Sequence, residues 1–122
     1  MADESENPKA QIVRPIRWDR LRTDEAEREI RRRLDAGDPI FSDHAYDRID
    51  ERGDERLLDS DVLTILRQGS VRQPPKKEPN GWSVTVERRM PGSRDAGVVT
   101  VIVHPGDDLI VVTVEWMDWR LR

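Results

Sequence analysis

Hydrophobic and polar positions change their spacing twice along this chain, and the changes divide it. Residues 1–12 are polar and acidic, contain Pro8 and offer nothing to bury, so they read as a disordered acidic tail. Residues 13–39 read as an accessory N-terminal segment with one helix. Val13, Ile16, Trp18 and Leu21 are apolar, but Pro15 blocks regular pairing. A helix is expected from Thr23 or Asp24, with Thr23 as N-cap and Asp24, Glu25 and Glu27 at the positive end of the helix dipole. Gly37 and Pro39 stop it. Its apolar stripe, Ala26, Ile30 and Leu34, is thin, which predicts a helix on the surface of the fold.

Residues 40–119 carry the stronger signals and read as the core. A second helix opens on Ser42 as N-cap, with Phe41 packing on Tyr46 as a hydrophobic staple, and stops at Gly53. A third is capped by Ser60 or Asp59, runs through Val62, Leu63, Ile65 and Leu66, and ends at Gly69. The period then drops to two. Ser70 to Gln73 forms a short strand, and Pro74 to Gly81 a loop. Trp82, Val84 and Val86 alternate with Ser83, Thr85, Glu87 and Arg89. Val98–Val103 and Leu109–Trp116 are apolar on both faces, joined by a hairpin signal at His104–Asp108. Strands apolar on both faces are inner strands covered twice, or have one face covered by a partner chain. The expected fold is α+β, with N-terminal helices packed on a three- to four-stranded antiparallel sheet.

Composition narrows this picture without changing it. The 122 residues are enough for one domain with a modest core. The absence of cysteine excludes disulfides and thiolate metal sites. The N-terminus has no signal-peptide core and the apolar runs are strand-length, so a cytoplasmic protein with no membrane span is expected. The net charge of −4 does not suggest a nucleic-acid binder, but residues 67–94 hold seven basic groups against two acidic ones. Within that stretch Arg72, Lys76, Lys77, Arg88 and Arg89 are candidate RNA-binding residues, the alternative being a solvated loop and strand face. His44 and His104 are far apart and lack metal-ligand spacing, so neither a metal nor another cofactor is expected.

The densest polar constellation lies on the second helix. His44, Arg48 and Arg52 stand at i, i+4 and i+8 and share a face. Nearby cations keep an imidazole neutral and available as a base, and arginines can hold a phosphate and stabilise charge at phosphorus. Together they are the kit of a metal-free ribonuclease. The competing reading is structural: Asp43, Asp47, Asp50 and Glu51 lie on the same helix and can pair with those arginines. Trp82, Trp116 and Trp119 fit core or interface anchors better than base-stacking platforms.

The stretch Phe41-Ser-Asp-His-Ala-Tyr-Asp-Arg-Ile-Asp-Glu-Arg-Gly53 resembles the opening of domain-of-unknown-function family 4258, whose pattern is Ser-x-His-Ala-x-x-Arg-x-x-x-Arg-Gly. Val62, Gly69 and Val71 continue the likeness, which spans about residues 40–116. Members of that family have been compared with RelE-like toxins, small ribonucleases of helices on an antiparallel sheet. The resemblance implies that fold. It also implies metal-independent RNA cleavage with His44, Arg48 and Arg52 at the site. Two placements stay open for His44 and Arg48: a cleft against Thr85 and Arg89 on the alternating strand, or a face sealed by the acidic groups of their own helix. RNA and an antitoxin are then the expected partners. The rival expectation is a non-catalytic interaction module that forms a homodimer or binds another protein through its two-sided apolar strands or its Trp116/Trp119 edge.

Overall fold

The computed structural model describes residues 15–50, 57–92 and 94–117. The expected tail, the Gly53 stop, Arg52 and Trp119 lie outside them. Among the described residues three helices, α1 (Thr23–Ala36), α2 (Asp43–Asp50) and α3 (Asp59–Gln68), pack on a mixed sheet of six strands. The strands are β1 (Ile40–Phe41), β2 (Ser70–Val71), β3 (Lys76–Glu78), β4 (Gly81–Met90), β5 (Arg94–Val103) and β6 (Leu109–Trp116). Their order is β1-β6-β5-β4-β2, with β3 also paired to β4. The α+β class is as expected, but the sheet is larger than three or four strands and not purely antiparallel. The extra strands, β1 and β3, are only two and three residues long, too short for a periodic pattern. β1 runs parallel to β6.

Alternation dictates which face of the sheet is buried. Trp82, Ile102 and Leu109 pair across β4, β5 and β6; Val84, Thr100 and Val111 follow, then Val86, Val98 and Val114. All nine are buried against the helices. Val99 pairs with Thr113 but Thr100 pairs with Val111, so Val112 is the extra residue of a β-bulge. The buried Thr100 hydroxyl donates to the Ile110 carbonyl (2.7 Å) beside it, which satisfies both groups. On the opposite face Ser83, Thr85, Val99, Val101, Val103, Ile110 and Thr113 are all half-exposed. Near Gly97 the Met117 side chain lies over this face, and Glu87, which pairs with Gly97, is buried there.

The helices begin where polar side chains collect loose amides, though not always at the expected residue. Ser42 caps α2, its hydroxyl accepting from the Ala45 amide (3.0 Å), and Phe41 stacks on Tyr46 with ring centroids 5.4 Å apart. α1 is preceded by Arg22 and not by Thr23: the Glu25 carboxylate reaches back to the Arg22 amide (3.0 Å). In the same way Asp61 accepts from the Leu58 amide (2.9 Å) at the start of α3. In both helices the acidic residue three positions in supplies the cap, which displaces the start from the residue chosen on propensity.

α1 is not the surface helix its thin stripe predicts. Ala26 and Ile30 are fully buried and Leu34 nearly so, and Glu25, Glu29 and Arg33 are buried beside them. The stripe is widened by charged residues whose charges are satisfied inside, a pattern that hydrophobicity alone does not register.

Candidate functional site

The structure sets α2 against β6, not against the alternating strand β4. Ala45 is fully buried in that contact. The Ser42 amide donates to Val111 O (2.9 Å), the Ser42 hydroxyl to Val112 O (2.9 Å), and Arg48 Nε to Val114 O (3.4 Å). β1 covers β6 only at Ile110 and Val111, so Ser42 and Arg48 take over the strand edge where β1 stops. Three of the four fixed positions of the Ser-x-His-Ala-x-x-Arg pattern therefore have a structural task here. His44, the fourth, is exposed. Arg52 lies outside the described residues, and α2 is two strands away from Thr85 and Arg89.

The five candidate RNA-binding residues are not gathered on one surface. Lys77 pairs with Trp82, on the helix-side row, and holds its ammonium 5.2 Å from the Trp82 ring. Lys76 pairs with Ser83, on the opposite row, and is exposed. Arg89 bonds Asp95 (2.7 Å), Arg88 bonds Gln68 (2.9 Å), and Arg72 approaches Glu87 at 3.9 Å. Of the five, Arg89 and Arg72 each meet a carboxylate. A more cationic hollow of about 330 Å³ lies before α1, lined by Pro15, Arg17, Arg20, Arg22 and Glu25. Arg17 pairs with Asp19 (3.1 Å) and Arg22 with Asp24 (3.5 Å).

The best-built site lies elsewhere, where α1 meets the β5–β6 hairpin. A cavity of about 370 Å³ is lined there by residues that include Trp18, Glu29, Arg32, Arg33, His104 and Asp107. Its floor is an ion pair: Arg33 Nε donates to Glu29 at 2.6 Å, with both side chains buried. Arg33 also donates to Val103 O (2.7 Å) and Asp108 O (2.6 Å), the two ends of the hairpin. Arg32 donates to the same Glu29 (2.7 Å) and reaches Asp107 at 3.4 Å. The wall is a parallel stack of Trp18 on His104, with centroids 4.1 Å apart and planes 6° off parallel. The Trp82 indole donates to Trp18 O (3.1 Å) and fixes that residue's backbone. Burial pushes the Glu29 carboxyl up, but hydrogen bonds from Arg32 and Arg33 outweigh this and hold it below the ordinary value of 4.5.

Sequence reasoning placed His104 and Asp107 in a turn and weighed His104 otherwise only as a metal ligand. A signal was present: Glu29, Arg32 and Arg33 stand at i, i+3 and i+4, so one carboxylate can serve two guanidiniums. Their convergence on a hairpin some seventy residues later is tertiary and was not legible. Among the described residues no three His, Asp or Glu side chains converge as metal ligands. No described helix is long and apolar enough to cross a membrane. Compared with protein-family models, curated proteins and solved structures, the chain matches none of them.

Proposed function

We propose that this chain is a non-catalytic interaction module whose partner is a second copy of itself, docked face to face on the open side of the sheet. The observation that carries the reading is the half-exposed row Val99, Val101, Val103 and Ile110 opposite the helices. Strands apolar on both faces leave one face open among the described residues when the described helices sit on the other.

The make-up of the face favours a second copy, because an apolar row is complementary to itself. A two-fold axis along β5 lays Val99 and Val101 of one copy on the same residues of the other. Edge-to-edge pairing is less suited, because Ser42 and Arg48 close β6 and the outer strands are short. Three long strands spaced about 4.8 Å apart give a patch on the order of 500 Å² per copy, which implies a weak, concentration-dependent dimer.

Light scattering over a dilution series tests this. The expected result is a mass that rises from monomer toward dimer with concentration. Val101→Asp should hold the chain monomeric while leaving its circular dichroism unchanged, since Val101 is half-exposed. A wild type that stays monomeric throughout, or a variant that associates equally well, overturns the reading.

A second reading is a metal-independent endoribonuclease of the RelE-like toxin type, with RNA as substrate and an antitoxin as protein partner. It draws on the resemblance and on one feature of the site: His44 is exposed on α2, one turn before Arg48. Because Arg48 also serves the β6 edge, His44→Ala is the discriminating variant. On this reading, expression of the wild type degrades cellular RNA and slows growth, and His44→Ala does neither. Intact RNA and equal growth with both proteins eliminate it.

A further inference from the structure

The cavity between α1 and the β5–β6 hairpin has an unbalanced interior. Arg32 and Arg33 face it with two positive charges and share one buried carboxylate, Glu29. The remaining carboxylate of the lining is Asp107, which stands 3.4 Å from Arg32 with its side chain 89% exposed. A contact that long and that solvated contributes little. Asp107 is therefore a loosely held counter-ion at the mouth of a rigid cationic floor, and a better-placed anion can take its position on Arg32.

His104 supplies a second element. Its ring is held flat against Trp18, so the ring plane is set, and its nitrogens have no hydrogen-bond partner among the described residues. An imidazole N–H in that plane and a guanidinium that Glu29 orients by two bonds (3.0 and 2.7 Å) are two donors lining the same cavity. Ile16 and Pro105 add apolar surface to the same lining. The volume of about 370 Å³ falls within the range of small-ligand sites.

The geometry points to a binding site for a small organic anion, whose carboxylate or phosphate displaces Asp107 from Arg32 and accepts from His104 while its apolar body lies along Ile16 and Pro105. The two headgroups share the chemistry that the site recognises. The floor of the site is buried and cross-linked to the hairpin, so it is formed before any ligand arrives. This assignment is independent of the dimer and ribonuclease readings, since it shares with them only the Val103 backbone carbonyl.

The test is a titration followed by NMR with three probes: benzoate, phenyl phosphate and inorganic phosphate. Signals of the Arg32 Nε–H, the His104 ring and the Trp18 indole should move together with either phenyl probe. The tighter of the two identifies the headgroup, and saturable binding of either one supports the site. Arg32→Gln and His104→Phe, the latter keeping a ring to stack on Trp18, should each weaken binding about tenfold, the loss of one charge-assisted or directed hydrogen bond. Asp107→Asn removes the internal competitor and should tighten binding several-fold. That gain cannot come from general loss of structure. No shift with either phenyl probe overturns the proposal, and so does an affinity that Asp107→Asn fails to raise. Inorganic phosphate binding as tightly as phenyl phosphate overturns the organic-ligand assignment.

Discussion

Arg33→Met should destabilise the domain by about 3–5 kcal/mol in urea unfolding, because it strands the buried Glu29 carboxylate with only Arg32 as partner. The replacement keeps the unbranched stem but not the guanidinium, so the loss combines the stranded charge with the space that the buried guanidinium filled. Two hairpin carbonyls lose the guanidinium at the same time, although Asp108 O keeps the Val103 amide (3.1 Å). The double variant Arg33→Met, Glu29→Leu should recover much of the loss, since an apolar pair of similar volume removes the unpaired charge. If the single variant unfolds like the wild type, the ion pair is not the keystone between α1 and the hairpin.

The same pair sets an acid limit. Glu29 has its folded-state pKa depressed below the ordinary 4.5. Its contribution is therefore complete above the unfolded value and is lost as pH falls through the lower, folded value. Stability should be flat with respect to Glu29 above about pH 5 and decline below it. In Arg33→Met that acid decline should be smaller.

Much of the fold was legible because it obeys simple periods. The alternation of Trp82, Val84 and Val86 matches the buried row of β4, and Gly69 ends α3, as its position suggests. The Phe41–Tyr46 staple and the Ser42 cap are local, within five residues, and were readable for that reason. What was not legible depends on distant partners. Nothing in the sequence sets Arg33 apart from Arg31 and Arg32, because its carbonyl acceptors lie on a hairpin far along the chain. Arg48 looked like a phosphate clamp, because the strand edge that it serves is created only when β6 outruns β1. The basic stretch 67–94 looked like one patch, but alternation along β3 and β4 sends neighbouring cations to opposite faces.

Gly81→Ala should be the other severe substitution, with a loss on the order of 3 kcal/mol and an altered hairpin site. Gly81 has φ +150°, a region that side chains rarely adopt, and it opens β4 directly against Val103. A Cβ at this position would run into the Ile102 carbonyl oxygen, and into the Ile102 carbonyl carbon and Val103 Cα at 2.9 Å. All three are backbone atoms, so no rotamer change relieves the contact. The neighbouring Asn80 carbonyl accepts from the His104 amide (3.0 Å), so any shift of β4 at Gly81 is transmitted to the residue stacked on Trp18. Thermal unfolding measures the first effect and the His104 ring shift the second. Gly92→Ala is the control: that glycine also has positive φ (+89°), but a Cβ there meets nothing within 4 Å. Its cost should be about 1 kcal/mol, the conformational penalty alone, with His104 undisturbed. If both variants lose stability equally and leave the His104 signal in place, the close approach at Gly81 does not hold the hairpin, and the route from β4 to the cavity is cut.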